Sequence, residues 1–152
     1  MKPLLLEDAA VVPQPKTFVR AHAQLVEPLW GNLALDLEGD MVFDFLDIKP
    51  IVREVCDSLD HKLLLPSENL NLRLDTKDDN IEIRPKDGSF FSIPKSDVLV
   101  LPLPNTSAER LAIYLANEIN DLTKKRFNFS FSSLEIEVEE TKGQCAIYKL
   151  EN

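Results

Sequence analysis

The sequence LEIEVE at residues 134–139 alternates apolar and acidic residues without a break. A period of two is typical of a strand with one face in the core and the other in solvent. Lys142-Gly143 then provides a turn, and Cys145 to Leu150 continues as a second strand. The sequence therefore predicts an antiparallel hairpin at residues 134–150.

An amphipathic helix is predicted immediately before this hairpin. It starts at Asn105 or Thr106, where Thr106-Ser107-Ala108-Glu109 forms a capping box in which Thr106 and Glu109 satisfy free backbone N–H groups. Three basic residues, 124–126, suit the negative end of the helix dipole. The apolar stripe consists of Leu111, Leu115, Ile119 and Leu122.

Earlier in the chain, the period also changes to that of a helix, starting at Asp47. Pro50 is compatible with this helix if it lies in the first turn. Cys56 falls on the apolar stripe and is interpreted as a packing residue. The full stripe is Ile48, Ile51, Val52, Val55, Cys56 and Leu59.

The remaining segments predict strands and turns. Residues 1–16 carry three prolines and form an extended N-terminal arm, ahead of a single domain at residues 17–152. Thr17–Leu25 and Asn32–Leu37 alternate as strands, and 41–45 returns after a turn at 38–40. A small β insert occupies about 70–101, with turns at Asp78-Asp79-Asn80 and Asp87-Gly88. Antiparallel strands with two helices on one face give the α+β class.

The charge, apolar runs and cysteine spacing exclude several classes of partner and location. The 152 residues carry a net charge of −9, and the longest basic run is Lys124-Lys125-Arg126, which argues against a nucleic-acid partner. The opening apolar run is too short for a signal peptide, and no stretch reaches membrane-spanning length. The cysteines, Cys56 and Cys145, lack C-x-x-C spacing. A cytoplasmic protein is expected.

Four segments, in order, resemble the 6-pyruvoyltetrahydropterin synthase / 6-carboxytetrahydropterin synthase family. Residues 39–49, GDMVFDFLDIK, are similar to the family's G-M-V-x-D-F-x-D-L-K, and 59–62, LDHK, match its L-D-H-[KR]. Residues 104–112, PNTSAERLA, resemble N-[PT]-T-[AS]-E-x-L-A, and 138–141, VEET, match V-x-E-T. The resemblance covers roughly residues 30–150.

The resemblance implies a tunnelling fold and an assembly. In this family each subunit contributes antiparallel strands, three subunits close a β-barrel, and two trimers stack. A homohexamer or trimer is therefore expected. The insert at about 70–101 looks like one found in some bacterial and archaeal members.

The resemblance breaks down at the family's metal site. The family opens with F-x-x-A-H, a loop with a catalytic cysteine, and H-G-H; these three histidines bind zinc. Here Phe18–His22 fits the first motif, but Trp30-Gly31-Asn32 stands at the H-G-H position. The chain has two histidines in all, so a three-histidine site cannot form and no cofactor is expected. A lone histidine on a strand, such as His22, is more often a surface or hydrogen-bonded residue than a metal ligand.

Two acid–base candidates follow from the resemblance. One variant branch of the family replaces the cysteine by glutamate, as E-x-x-H-G-H, and Glu27 has that spacing. In the family the pair matching Asp60-His61 assists removal of a substrate proton, which suits an imidazole oriented by a carboxylate. The alternative is that His61 only meets exposed carbonyls at a helix C-terminus.

Candidate ligand-binding residues come from the other two motifs. The glutamate matching Glu140 accepts hydrogen bonds from the pterin N–H and amino groups in the family. Glu140 has the parity of Leu134, Ile136 and Val138 and is expected on the apolar face, where it needs a partner. The alternative is a solvated glutamate face. Further pterin contacts are implied for Asn105, Thr106 and Ser107, although Thr106 is equally explained as a cap.

Three functions remain open, the weakest being a structural subunit that mixes with an active paralogue and completes interface sites. The first is a family member that binds a pterin or guanine-like ring but has lost the zinc-dependent reaction. The second is an active lyase on dihydroneopterin triphosphate or a related pterin, in which Glu27 and His61 provide metal-independent acid–base chemistry.

Overall fold

The computed structural model describes residues 4–6, 11–12, 17–23, 45–131, 133–141 and 143–151. A 3-10 turn lies at Lys95–Asp97. The helices and strands are β1 (Leu4–Leu6), β2 (Val11–Val12), β3 (Thr17–Ala23), α1 (Phe45–Leu59), β4 (Leu63–Pro66), β5 (Leu72–Lys77), β6 (Asn80–Pro85), β7 (Phe91–Pro94), β8 (Val98–Leu101), α2 (Ala108–Phe127), β9 (Ser133–Thr141) and β10 (Gln144–Glu151).

The main sheet is antiparallel and has the strand order β1-β3-β9-β10, with β2 also paired to β3. The predicted C-terminal hairpin is confirmed as β9 and β10, and the predicted strand from Thr17 is confirmed as β3. The N-terminal arm supplies β1 and β2, two short strands that its sequence did not reveal. Both lie against β3, so the arm continues the main sheet.

Helix α2 packs over β9 and β10, helix α1 packs against α2, and side chains of all four elements contribute to one apolar core. The core follows from the predicted periods, since alternate β9 residues and both helix stripes point into it. The predicted α+β class is confirmed. The fully buried members include Ile51, Cys56, Leu59, Leu115, Ile119, Leu134, Ile136 and Val138.

Both helices begin at positions other than those predicted. Helix α1 starts at Phe45, two residues before Asp47, which makes Pro50 its sixth residue and places it beyond the first turn. Helix α2 starts at Ala108 with Ser107 as its N-cap, so the prediction of Thr106 as the cap is wrong. Two adjacent hydroxyl residues offer two capping positions, and the pattern alone does not choose between them.

The insert forms its own small layer. Strands β5, β6 and β7 form an antiparallel sheet, while β8 pairs in parallel with β4, which precedes the insert. The predicted turns are confirmed: Asp78 (φ 50) and Gly88 (φ 88) take the left-handed conformations that tight turns need. Leu65, Ile83 and Val98 form a second apolar cluster between the two sheets.

Some predicted elements lie outside the described residues. These are the strand Asn32–Leu37, the turn at 38–40 and residues 41–44 of the returning strand. Phe45, predicted to end that strand, is the first residue of α1. Within the described ranges, neither helix is long and apolar enough to cross a membrane.

Candidate functional site

Glu140 lies at a β-bulge near the end of β9. Thr141 pairs with Gln144 and Glu139 pairs with Cys145, which leaves Glu140 as the extra residue of β9. A bulge reverses the alternation of side chains beyond it. Glu140 is accordingly exposed, and the prediction that it shares the buried face of Val138 is wrong.

The turn beside the bulge is closed by the neighbouring glutamate. Glu139 Oε1 accepts a hydrogen bond of 2.8 Å from the backbone N–H of Gly143, whose φ of 81° favours glycine. This bond joins the end of β9 to the start of β10. It fixes the backbone on both sides of Glu140, and bulges frequently serve to re-aim a side chain in this way.

Asp60 and His61 follow the last residue of α1. The Asp60 backbone N–H donates to the Asp57 carbonyl at 3.2 Å, which continues the helical turn. His61 has a φ of 55°, in the left-handed region that non-glycine residues occupy rarely. The chain therefore turns sharply here before entering β4 at Leu63.

The side chains of this pair are in direct contact. His61 Nδ1 lies 2.8 Å from Asp60 Oδ2, while the His61 side chain is 80% exposed. A neutral imidazole that donates from Nδ1 leaves Nε2 free to accept a proton on the exposed side. The geometry supports the predicted carboxylate-oriented imidazole, since the ring contacts Asp60 instead of only meeting helix carbonyls.

The segment before α2 holds the third group of candidate residues. Asn105 Oδ1 accepts from the Ser107 N–H at 3.1 Å, and the Ser107 carbonyl accepts from Leu111 at 2.9 Å. Hydrogen bonding to the Ser107 side chain lowers the pKa of the Glu109 carboxyl. Asn105 and Ser107 thus stabilise the first turn of α2. Thr106 is half-buried and does not cap the helix as predicted.

These three groups lie on different parts of the chain. Asp60-His61 ends α1, Asn105–Ser107 joins β8 to α2, and Glu140 lies near the tip of the β9–β10 hairpin. No hydrogen bond or ion pair between described residues joins one group to another.

The residues predicted around the family's metal site are placed only in part. His22 lies on β3 in register with Glu135 of β9, and Glu27 lies outside the described residues, as does Trp30-Gly31-Asn32. Among the described residues, no three His, Cys, Asp or Glu side chains are grouped so that they could hold a metal ion. With two histidines in the whole chain, the donor set does not fit a three-histidine zinc site.

The cysteines have contrasting environments. Burial, and secondly the nearby Asp57 charge, raises the pKa of Cys56 to about 11, so its thiol is protonated and inert at neutral pH. This confirms the prediction that Cys56 packs in the core. Cys145 is exposed on β10 beside the bulge.

Two contacts near these residues were not found from the sequence. The Glu139–Gly143 bond depends on the fold of the turn, and the pattern suggested only a solvated glutamate. Lys62 Nζ donates to the Ser96 carbonyl, which is 34 residues further along the chain. The motif at 59–62 marked Lys62, but only the packing of the insert shows what it contacts.

Comparison with known proteins identifies the family of this chain. A family model described as 6-pyruvoyl tetrahydropterin synthase matches residues 28–151. A relative from Methanocaldococcus jannaschii, described as a putative 6-carboxy-5,6,7,8-tetrahydropterin synthase, is 40% identical over 135 residues, covering 86% of this chain and 79% of the relative.

Solved structures show the same likeness. The 6-pyruvoyl tetrahydropterin synthase of Plasmodium vivax matches with a TM-score of 0.72 at 26% identity, covering 90% of this chain and 78% of that one. The Plasmodium falciparum enzyme matches over the same shares with a TM-score of 0.69, also at 26% identity. The chain belongs to the 6-pyruvoyl tetrahydropterin synthase family.

Proposed function

We propose that this protein binds a pterin or guanine-like ring through the Glu140 carboxylate. The observation that carries the proposal is the bulge, because it turns Glu140 out of the core and leaves its carboxylate accessible to a ligand. A carboxylate offers two acceptor oxygens to the parallel N–H donors of a pterin edge. The family membership supports the same ligand class.

We further propose that the zinc-dependent reaction of the family is lost. The family's metal requires three histidines, and this chain supplies two, of which His61 is paired with Asp60. The Glu140 contact needs no metal, so ligand binding is expected to persist. Elemental analysis of the purified protein should find no stoichiometric zinc; about one zinc per chain would contradict this part of the proposal.

A second candidate function is an active, metal-independent lyase. The Asp60–His61 contact favours it, because an imidazole held by a carboxylate is a suitable general base. A further structural relative, with a TM-score of 0.69 at 26% identity, is a P. vivax variant described as a catalytic-residue mutant in which a glutamate becomes alanine. Glu27 is the proposed counterpart in this chain.

The two candidates differ in what they do to dihydroneopterin triphosphate. A turnover assay with metal-free protein should show no product if only binding remains. Turnover that is lost in both His61→Gln and Glu27→Gln would establish the lyase instead.

We also propose that the protein assembles into a trimer or hexamer. Strand β10 is a long strand at one end of the main sheet as described, and such an edge is commonly covered by another chain. Association across subunits would also bring the separate candidate groups into one site. Light scattering at micromolar concentration should give a trimer or hexamer, and a stable monomer would contradict the assembly.

Calorimetry with neopterin, biopterin and guanine tests the binding proposal. Glu140→Gln replaces one acceptor oxygen by a donor that opposes the ring's own donor, and we expect it to weaken binding by about 2–4 kcal/mol. Glu135→Gln is the matched control, since Glu135 lies on the same strand before the bulge. Its affinity should equal that of the wild type.

Two outcomes would contradict ring binding through Glu140. One is that the wild-type protein binds none of the three compounds. The other is that Glu140→Gln and Glu135→Gln bind equally well, which would leave Glu140 as a solvated strand residue.

A further inference from the structure

The proposed function leaves the insert without a role. Its sheet, β5 to β7, is separate from the main sheet and reaches the rest of the described chain through the β4–β8 pair. Strand β4 begins two residues after His61. The insert and the candidate acid–base pair are therefore neighbours in the chain and in space.

A hydrogen bond connects them directly. Lys62, the residue after His61, donates from Nζ to the main-chain carbonyl of Ser96. Ser96 lies in the 3-10 turn between β7 and β8. This contact joins the segment that carries His61 to the end of the insert.

The acceptor is itself fixed by the insert. The N–H of Lys95, which precedes Ser96, donates to the Asp79 carbonyl at 2.8 Å in the turn between β5 and β6. Val98 then enters β8, pairs with Leu63 and is buried in the cluster with Ile83. The Ser96 carbonyl therefore has a position set by the folded insert.

His61 needs such support from both sides. Its backbone is in the left-handed region, which is unfavourable for a residue other than glycine and persists where the surrounding structure holds it. On one side, buried Leu59 anchors the end of α1 in the main core. On the other, Lys62 and β4 attach to the insert.

We propose that the insert positions the Asp60–His61 pair, with Lys62 as the positioning residue that joins the two. Lys62 acts through the backbone: its contact with Ser96 holds the conformation in which His61 Nδ1 faces Asp60 Oδ2. The inference rests on the second candidate function for its purpose, since an acid–base pair has to act on a bound ring. Its geometry can be tested without any ligand.

The test uses the ring nitrogens of His61 in long-range proton–nitrogen NMR spectra at a pH where the imidazole is neutral. The chain has two histidines, so the spectrum of His61→Gln identifies the His61 signals by their loss. In the wild type we expect widely separated nitrogen shifts, typical of one tautomer with the proton on Nδ1. Asp60→Asn should bring the two shifts closer together, because the carboxylate that selects the tautomer is removed.

Lys62→Gln removes the charge and shortens the side chain by one bond, and it should move the His61 shifts in the same direction as Asp60→Asn. Lys62→Arg keeps the charge and the reach of the N–H donors, so it should leave the shifts as in the wild type. Lys77→Gln is the matched control: Lys77 is also an exposed lysine of this region, but its contact is Glu82 at 3.6 Å within the insert. That variant should leave the His61 shifts unchanged. Unchanged melting temperatures would show that the variants remain folded.

The proposal is overturned if Lys62→Gln gives the wild-type His61 spectrum, or if Asp60→Asn does. Failure of ring binding is a separate result, because the NMR measurement contains no ligand. A protein that binds no pterin but shows the expected shifts would keep the positioning role and lose the proposed function.

Discussion

The main core and the insert are stabilised in different ways. In the main core, α1, α2 and β9 bury a continuous apolar cluster whose central side chains are almost fully inaccessible, as with Ile136 at 0% and Leu115 at 1%. In the insert cluster, the buried residues are Leu65, Ile83 and Val98, and only Ile83 belongs to the sheet of β5 to β7. Apolar burial can therefore stabilise the main core by itself, whereas the insert buries fewer apolar side chains.

The insert adds polar contacts on its outer face. Arg84 lies 2.7 Å from Glu82 and 3.9 Å from Asp75, and its guanidinium stands 4.6 Å from the centre of the Phe90 ring. The Arg84 side chain is half exposed, so each of its contacts is screened by solvent and weak. Together with the tight turns they set strand register more than they add stability. The comparison predicts that the insert opens separately and more easily than the core.

The largest effect is expected in the main core. Ile136→Ala removes a fully buried side chain from the centre of the main core and should lower the free energy of unfolding by about 4 kcal/mol, since closely packed neighbours limit collapse of the cavity. Urea unfolding at a fixed protein concentration measures it. A loss below about 1 kcal/mol would mean that this core is not the main source of stability.

A smaller and local effect is expected for Ile83→Ala in the insert. We expect a loss of about 2 kcal/mol, because its cluster is small and can partly close. Hydrogen exchange of β5 and β6 amides should become roughly 30-fold faster, while β9 amides keep their protection. Equal acceleration in both sheets would show that the insert and the core unfold together, against the comparison.

The smallest effect is expected for Arg84→Met, which removes the ion pairs and the cation–π contact but keeps an unbranched apolar stem. Because Arg84 is half exposed, insert opening should become easier by only about 0.5 kcal/mol. The same exchange experiment measures it, and added salt should reduce the difference from wild type. Lys77→Met, which loses one longer contact to Glu82, is expected to have less effect still. An Arg84→Met effect larger than that of Ile83→Ala would reverse the comparison.

The elements with a clear period were predictable from the sequence. Ile48 to Leu59 formed a helical stripe and lies in the core, and the alternation at Leu134, Ile136 and Val138 gave both the strand and its buried face. The exact start of α1 was not predictable, because Phe45 also continued the alternation of the preceding segment. Periodicity determines the side that an element buries more firmly than the residue where it begins.

The candidate site was predictable only where it depends on neighbours in the chain. Adjacent residues Asp60 and His61 were expected to form a pair, and their side chains lie 2.8 Å apart. The exposure of Glu140 was not predictable, because a bulge is a property of two paired strands and the parity of one strand does not contain it. The contact from Lys62 to Ser96 spans 34 positions, which no local pattern encodes.

The parallel pairing of β4 with β8 also has a consequence for how the chain closes on itself. The insert leaves at Pro66 and returns at Val98, and Ser67 donates from both its N–H and its hydroxyl to the Leu101 carbonyl, at 2.9 and 3.0 Å. The entropic cost of joining those ends rises only with the logarithm of the loop length, by about 0.6 kcal/mol for each doubling. A longer or shorter excursion between the same two strands would thus change the loop-closure cost very little. The β4–β8 pairing thus makes the stability of the rest of the domain nearly independent of the length of the insert.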